Sequence, residues 1–243
     1  MTPRSAKSSS RSRFWPGVAR LTVIAALAFA VWEAVTWPDV SALAARAPAS
    51  TAFIDRYRAQ EREAGRPGRV QWTWMPYGRI STSLKRAVVV AEDAGFFHHR
   101  GFATAEIREA IDKAVKEFGL PRGASTITQQ LAKNLWLSPS RNPVRKAKEA
   151  VLTWQLERAL SKRRILELYL NVVEFGPGVY GAEAASRRYF GKSAADLTDE
   201  EGAELAAGLP RPSMWHPGVR TAGYRRYVDD IRRRMERIAL PLR

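Results

Sequence analysis

The sequence predicts a mainly α-helical domain preceded by one transmembrane helix, with at most a little β-structure near residue 72. Two observations support this fold class. Apolar residues recur at helical spacing from Leu84 onward, and a long apolar segment follows a basic N-terminus. The chain has 243 residues and no cysteine, so it has room for one domain of about 180–200 residues beside the helix. Disulfides and thiolate metal sites are excluded.

The N-terminal region predicts a basic tail at residues 1–17 and a transmembrane helix at residues 18–38. The 18 residues between Arg20 and Asp39 carry one charge, Glu33, and as a helix they would span roughly 27 Å, about one bilayer core. The positive-inside rule then leaves the tail in the cytoplasm and places the domain outside. The alternative is a cleaved signal peptide ending near residues 42–44.

The charge balance points to a polyanionic neighbour. The chain carries 40 Lys and Arg against 24 Asp and Glu, a net charge of +16. Nucleic acid, anionic lipid headgroups and a pyrophosphate all fit such a charge. Because both readings of the N-terminus export the domain, we expect no nucleic-acid partner.

The remaining elements follow from spacing and turn residues. Residues 39–52 are small and contain proline, which predicts a linker before a domain at residues 53–243, or a first ordered turn at residues 41–52. Residues 71–77 alternate apolar and polar side chains and predict a short strand or extended arm. Helices are predicted at residues 84–92, 106–118, 126–135 with Ser125 as N-cap, 144–160, 163–171, about 179–189, 199–208 and 222–239.

The first chemically informative stretch is EDAGFFHHRGF at residues 92–102. Glu92 closes an apolar run, so partial desolvation would raise its pKa toward the range of a general base. The alternative is a solvated helix-end carboxylate that pairs with Arg86 or Arg100. His99 is either a catalytic partner or a side chain that bonds the backbone to fix the turn before Gly101.

The second stretch is GASTITQQLAKN at residues 123–134. Gln129 and Lys133 are four residues apart and share a helical face, and Gln130 with Asn134 forms a neighbouring face. Such faces can hold sugar hydroxyls and phosphate oxygens. The alternative is a capped polar helix whose amides are solvated.

A basic cluster follows, formed by Arg141, Arg145, Lys146, Lys148 and Glu149. A leaving pyrophosphate needs fixed cations and no general acid, because it departs as a stable anion. Glycosidases instead place two carboxyl groups across the scissile bond. The alternative is a surface ladder in which Arg145 and Glu149 pair at i, i+4 spacing.

Three further motifs follow these stretches: RKAKE at 145–149, KRRILELYLN at 162–171 and GAEAASRRYFGK at 181–192. All five motifs occur in the order and at the spacing of one known protein family. In that order the chain resembles the bacterial peptidoglycan glycosyltransferases, glycosyltransferase family 51, and most closely their monofunctional biosynthetic members. The resemblance covers about residues 50–220. It implies a lysozyme-like glycosyltransferase domain with a membrane-facing jaw subdomain between the first two motifs. Phe118, Leu120, Leu135 and Trp136 are candidates for the membrane-dipping part of that jaw.

The resemblance also implies a reaction. Lipid II is polymerised into β-1,4-linked glycan by a single inverting displacement, with release of undecaprenyl pyrophosphate. Glu92 matches the general base that takes the proton of the acceptor's 4-hydroxyl, and Glu149 matches the second catalytic glutamate at the donor end. Lys133 and Arg141 match the cations on the pyrophosphate. Substrate-binding or site-shaping positions are Ser125, Gln129, Gln130, Asn134, Arg145 and Lys148, with Asp93, Phe97, His99 and Gly101 around the first motif.

Cofactors and partners follow from the same resemblance. No cofactor is expected to be obligatory, although Mg²⁺ or Mn²⁺ can assist at the pyrophosphate. The expected partners are lipid II, the growing glycan strand, the bacterial inner membrane crossed once, and cell-wall synthesis or division proteins. The catalytic domain is expected in the periplasm. No serine lies three residues before a lysine, so no acyl-serine transpeptidase chemistry is expected.

Three positions depart from the family pattern: His98, Ala103 and Ala124. None of them removes a residue that carries the mechanism. Two rival functions remain at this level: a glycan hydrolase on the same architecture, and a non-catalytic scaffold of the cell-wall machinery. The pyrophosphate cations argue against the hydrolase, and the intact Glu92, Lys133 and Glu149 argue against the scaffold.

Overall fold

The computed structural model describes residues 15–102, 125–140 and 142–242, and the chain divides into two units, Met1–Asp39 and Val40–Arg243. The first unit contains helix α1, Trp15–Val35. Among the described residues, no helix combines the length and the apolar character that crossing a bilayer requires, so the predicted transmembrane helix of residues 18–38 is not confirmed. The predicted helix at 106–118 and the predicted jaw lie outside the described residues.

The second unit begins with a short 3-10 helix, Ser41–Ala44, which agrees with the ordered turn given as the alternative to a linker at residues 41–52. The helix that follows it was not predicted. Helix α2, Ala52–Glu63, begins where the hydroxyl oxygen of Thr51 accepts a hydrogen bond from the Ile54 amide at 3.1 Å. Ile54 is fully buried, whereas the rest of the helix is mostly polar. A helix that buries so narrow a stripe shows little periodicity, which is why no element was predicted there.

Helix α3, Thr82–Glu92, lies at the centre of a three-helix group. It packs against α8, Asp199–Gly208, and α9, Ala222–Arg237, which also pack on each other. The prediction of a helix at residues 84–92 is confirmed, with Ser81 as the N-cap. Its buried apolar face fixes the helix so that Glu92 stands at its C-terminal end.

A second group contains α4, Ile127–Trp136, α5, Pro143–Ala159, and α6, Lys162–Val172. Helix α4 packs against both others. Leu135 is 4% exposed, because it belongs to the apolar face that α4 turns toward the core. The expectation that Leu135 dips into a membrane is therefore wrong.

A small sheet joins distant parts of the chain. Its strands are β1, Gln71–Trp72, β2, Glu174–Gly176, and β3, Val179–Tyr180, in the order β1-β3-β2. Strand β3 pairs parallel to β1 and antiparallel to β2. The predicted arm at 71–77 forms a strand only in its first two residues.

The helix predicted from about residue 179 begins later. Helix α7 covers Ala182–Phe190, because residues 174–180 form the β2–β3 hairpin. Gly178 adopts a φ of 72° in its turn, and a Cβ there would lie 2.7 Å from the Tyr57 hydroxyl. The short apolar stretch before α7 is compatible with either a helix or a hairpin. The turn at Gly178, whose positive φ suits glycine, selects the hairpin. The described residues are nevertheless mainly helical, which confirms the fold class at that level.

Candidate active site

Glu92 is the last residue of α3, and its carboxylate meets the start of α4. The side-chain amide of Gln130 donates a hydrogen bond from Nε2 to Glu92 Oε2 at 2.7 Å. Burial raises the pKa of Glu92, while the Gln130 hydrogen bond and the charge of Lys133 lower it and Asp93 raises it further. The carboxylate is thus half-buried and bound by a neutral donor, which is the setting a general base needs.

Asp93 and His99 brace the turn that follows Glu92. The Asp93 side chain is 1% exposed, and its Oδ2 accepts a hydrogen bond from the Ile127 amide at the start of α4 at 3.0 Å. His99 Nε2 lies 2.9 Å from Asp93 Oδ1, and His99 Nδ1 accepts from the Gly101 amide at 3.1 Å. Nδ1 is therefore unprotonated and Nε2 carries the hydrogen. His99 fixes the turn before Gly101, as the backbone-bonding interpretation required.

The start of α4 is held by Thr126 and not by Ser125. The Thr126 hydroxyl accepts from the Gln129 amide at 3.2 Å and donates to the Gly101 carbonyl at 2.7 Å. In return, Gln129 Oε1 accepts from the Thr126 amide at 3.0 Å. This reciprocal pair is a capping box, so the prediction of Ser125 as N-cap is wrong. Gln129 is buried in the box and does not share an open face with Lys133.

Gln129 and Gln130 were both predicted to lie on helical faces open to substrate, but the structure directs the side chain of Gln130 at Glu92. Besides its bond to Glu92, its Nε2 lies 3.3 Å from the Ser125 carbonyl oxygen. Its Oε1 accepts from the Tyr169 hydroxyl at 2.9 Å, and its backbone carbonyl accepts from Asn134 Nδ2 at 2.8 Å. Both ends of the amide are therefore bonded to protein groups, so Gln130 orients Glu92. Its Nε2 and Oε1 are not free for substrate.

Tyr169 is the site residue that the sequence analysis missed. It lies on α6 and is fully buried. Within KRRILELYLN it reads as one more core position of an amphipathic helix. Only its hydroxyl distinguishes it, since a buried phenol needs a polar partner.

The cation end of the site centres on Glu149 of α5. The Glu149 side chain is 3% exposed, and Arg145 Nη1 lies 2.5 Å from its Oε2. Lys146 binds the other oxygen, Oε1. Both oxygens of this carboxylate are thus occupied by cations. Arg145 keeps a buried Nε without a hydrogen-bond partner.

Lys133 connects the two ends electrostatically. Burial lowers the pKa of this lysine, Glu149 raises it, Arg145 and Lys146 lower it, and Glu92 raises it. These interactions place Lys133 within range of both glutamates. Its ammonium also lies 5.9 Å from the centre of the Phe53 ring. Lys133 is therefore a partly desolvated cation between the proposed base and the ion-paired cluster.

The other predicted site residues fall in different surroundings. Phe97 is half-buried and packs edge-on against Phe96, with ring centres 5.0 Å apart. Lys148 is half-buried and Ser125 is exposed. Arg141, Ala103 and Ala124 lie outside the described residues.

The described side chains of this site offer few free oxygen donors to a resident metal. In the part of the chain that the structure describes, no group of three or more His, Cys, Asp or Glu residues is placed to hold a metal ion. Both oxygens of Glu149 bind cationic side chains, and Glu92 Oε2 binds Gln130. Mg²⁺ prefers free carboxylate and phosphate oxygens, which a pyrophosphate substrate would itself supply.

Comparison with known proteins gives a consistent set of relatives. A family model described as Transglycosylase matches residues 60–238. A protein of Thiobacillus denitrificans named "Biosynthetic peptidoglycan transglycosylase" is 51% identical over 196 residues, covering 80% of this chain and 84% of that protein. Proteins with the same name from Azoarcus sp. (46% identical over 93% of this chain and 97% of that protein) and Bordetella avium (41% identical over 96% and 100%) are similar along nearly their whole length.

Proposed function

Because the chain belongs to the transglycosylase family, we propose that it polymerises lipid II into β-1,4-linked peptidoglycan strands and releases undecaprenyl pyrophosphate. Membership in the family supports glycan-strand polymerisation in general. The observation that carries the finer proposal is the state of Glu92, whose carboxylate has a raised pKa and is bound by an uncharged donor. A carboxylate whose pKa is raised accepts a proton more readily than an ordinary glutamate does.

The proposed step is one inverting displacement. The 4-hydroxyl oxygen of the acceptor sugar forms a bond to the anomeric carbon of the donor while the bond from that carbon to the pyrophosphate oxygen breaks. Glu92 takes the hydroxyl proton, and the electron pair of the broken bond leaves with the pyrophosphate. Since pyrophosphate is a stable anion, no general acid is needed.

Lys133 is the proposed partner of the leaving pyrophosphate. It is a partly buried cation close to Arg145 and Lys146, so a dianionic group entering this region meets three positive charges, of which Glu149 offsets one. Arg141 has the same proposed role on the sequence resemblance alone.

Glu149 has a different proposed role from Glu92. Its two oxygens are bound by Arg145 and Lys146, so it is not available to accept a substrate proton. We assign it the role of a counter-ion that keeps these cations at fixed positions. Ser125, Asn134 and Lys148 stay predictions as substrate contacts, and assistance by Mg²⁺ or Mn²⁺ would act through the pyrophosphate oxygens.

The test is polymerisation of labelled lipid II by the detergent-purified chain, with and without Mg²⁺. Wild type should give a ladder of long glycan, and Glu92→Gln should lose about 10²–10⁴-fold in rate. Glu63→Gln is the matched control, because Glu63 is an exposed glutamate on α2. No ladder from folded wild type would contradict the proposal, and shortening of preformed strands would replace it with a hydrolase.

We also propose that the chain attaches to the membrane through α1, since a lipid-linked substrate is reached at the membrane surface. Among the side chains of α1 that the structure describes, eight large apolar ones are exposed: Val18, Leu21, Val23, Ile24, Leu27, Val31, Trp32 and Val35. Exposed apolar surface of that extent is typical of an interaction with lipid or another protein.

Flotation of the full chain with phospholipid vesicles tests this attachment. The double variant Ile24→Lys/Leu27→Lys should leave the vesicle fraction, whereas Thr22→Lys should remain, because Thr22 is already a polar position on the same helix. If both variants float as wild type does, α1 is not the attachment. Protease protection of each end in sealed vesicles then distinguishes a spanning helix from one lying at the surface.

A further inference from the structure

The Gln130 side chain is fixed by protein groups at both ends of its amide. Nε2 donates to Glu92 Oε2 at 2.7 Å and lies 3.3 Å from the Ser125 carbonyl oxygen, and Oε1 accepts from the Tyr169 hydroxyl at 2.9 Å. The nitrogen and oxygen of a glutamine amide have nearly the same shape, so only their bonding partners select one orientation over its flipped form. The partners of Nε2 are acceptors, and the Tyr169 hydroxyl is the donor that faces Oε1.

Tyr169 is suited to act as a donor throughout the working pH range. Burial raises its pKa well above the ordinary value, and the charges of Glu92 and Asp93 raise it further. The hydroxyl therefore keeps its hydrogen. With that hydrogen directed at Oε1, the amide must present Nε2 to Glu92. The flipped amide would set a carbonyl oxygen against an ionised carboxylate and leave the Tyr169 hydrogen without its acceptor.

We propose that Tyr169 is a positioning residue of this site: its hydroxyl locks the Gln130 amide so that Nε2 faces Glu92 and keeps that carboxylate oriented and ionised. The inference rests on the proposed role of Glu92 as the base. Tyr169 touches neither substrate nor reacting atoms in this account and acts only through Gln130.

Several groups besides Gln130 face Glu92 and influence its pKa, and Tyr169→Phe leaves them in place. Lys133 from α4 lowers the pKa of Glu92 and the adjacent Asp93 raises it. Burial, and after it the charge of Glu92, raises the pKa of Tyr227, whose hydroxyl on α9 lies 3.5 Å from the Ala91 carbonyl oxygen. Tyr169→Phe leaves all of these charges and the burial in place. It removes only the donor to Oε1, so Gln130 can rotate, Glu92 loses part of its hydrogen bond, and its pKa rises.

The test compares polymerisation rates across pH for wild type, Tyr169→Phe and Tyr227→Phe. Tyr227→Phe is the matched control, because it deletes a hydroxyl near Glu92 that is bonded to backbone and not to Gln130. The base must be ionised to act. Tyr169→Phe should therefore lose about tenfold more rate at the acidic end of the profile than on its alkaline plateau, the size expected for one hydrogen bond to a charged group. Tyr227→Phe should run parallel to wild type.

A second measurement does not depend on turnover. The carboxyl band of Glu92 can be assigned in infrared spectra as the band that Glu92→Gln lacks, and titrated in each variant. The midpoint should move to higher pH in Tyr169→Phe and stay in place in Tyr227→Phe. In a Gln130→Met background, Tyr169→Phe should cause no further movement, because the connecting amide is gone.

The outcomes separate this inference from the proposed function. A Tyr169→Phe profile parallel to wild type, with an unmoved infrared midpoint, overturns the positioning role and leaves the polymerase intact. Folded wild type that does not polymerise, with a midpoint that still moves in Tyr169→Phe, overturns the proposed function and retains the Tyr169–Gln130–Glu92 coupling.

Discussion

Glu92 and Glu149 are both glutamates that helices place inside the protein, yet their surroundings prepare them for different tasks. Glu92 meets one uncharged amide, and burial raises its pKa. Glu149 is bound at both oxygens by Arg145 and Lys146. A carboxylate whose hydrogen-bond partner is a neutral donor can take up a proton, whereas the Glu149 oxygens are both bound to cationic side chains, so this carboxylate serves as their counter-ion. The partners, more than the residue type, decide the chemistry.

The largest expected effect that separates the two glutamates is on stability. Glu149→Gln removes the partner of two cations at a side chain that is 3% exposed. It should lower the free energy of unfolding by about 3 kcal/mol, as expected when one member of a buried ion pair is lost. Guanidinium denaturation measures this, with the exposed Glu63→Gln as control. A loss within about 0.5 kcal/mol of that control, the usual scale for surface changes, would mean that the cation cluster does not depend on Glu149.

A smaller effect tests the framework of the base end. Thr126→Ala removes the hydroxyl that caps α4 and bonds the Gly101 carbonyl, and it should cost about 1–2 kcal/mol. Ser125→Ala is the matched control at the adjacent position and should cost less than about 0.5 kcal/mol. Thermal unfolding of the two variants measures the difference. If Ser125→Ala lowered the free energy of unfolding as much as Thr126→Ala does, the assignment of Thr126 as the N-cap of α4 would be contradicted.

The smallest expected effect is a pH dependence of stability. Because the pKa of Glu92 is raised in the folded state, the folded chain holds this proton more tightly than the unfolded chain does. Stability from this group is therefore present at low pH and is lost as pH rises from the ordinary glutamate pKa through the raised value. Unfolding free energies of wild type and Glu92→Gln should differ least in acid and diverge toward neutral pH. A gap that instead widens in acid would mean a lowered pKa.

Much of the helical framework could be predicted from spacing, because α3 and α4 bury wide apolar faces. The narrow buried stripe of α2 and the short strands β2 and β3 carried too little pattern to be found. Strand β1, by contrast, lies at the start of the stretch at residues 71–77 for which a short strand or extended arm was predicted. The Thr126 cap was within reach, since Thr126 and Gln129 have the spacing of a capping box. Reading that motif would also have removed Gln129 from the open face.

The sequence could name candidate residues for the site but not their contacts. Glu92, Lys133 and Glu149 were all candidates, but the distinction between a carboxylate bound by a neutral amide and one bound by two cations depends on three-dimensional contacts. Tyr169 could not be found from periodicity, because a helix that buries a tyrosine looks the same whether or not its hydroxyl reaches Gln130 across to α4. Hydrogen-bond direction is the information that sequence patterns lack.

The most direct measurement of the central claim is the pH profile of lipid II polymerisation by wild type, Glu92→Gln and Glu149→Gln, each below its melting temperature. The account predicts that wild type loses activity as pH falls through a pKa above that of an ordinary glutamate. Glu149→Gln should keep that acid limb at whatever rate remains, and Glu92→Gln should lose activity at every pH. An acid limb that disappears in Glu149→Gln and persists in Glu92→Gln would exchange the two roles and contradict the account.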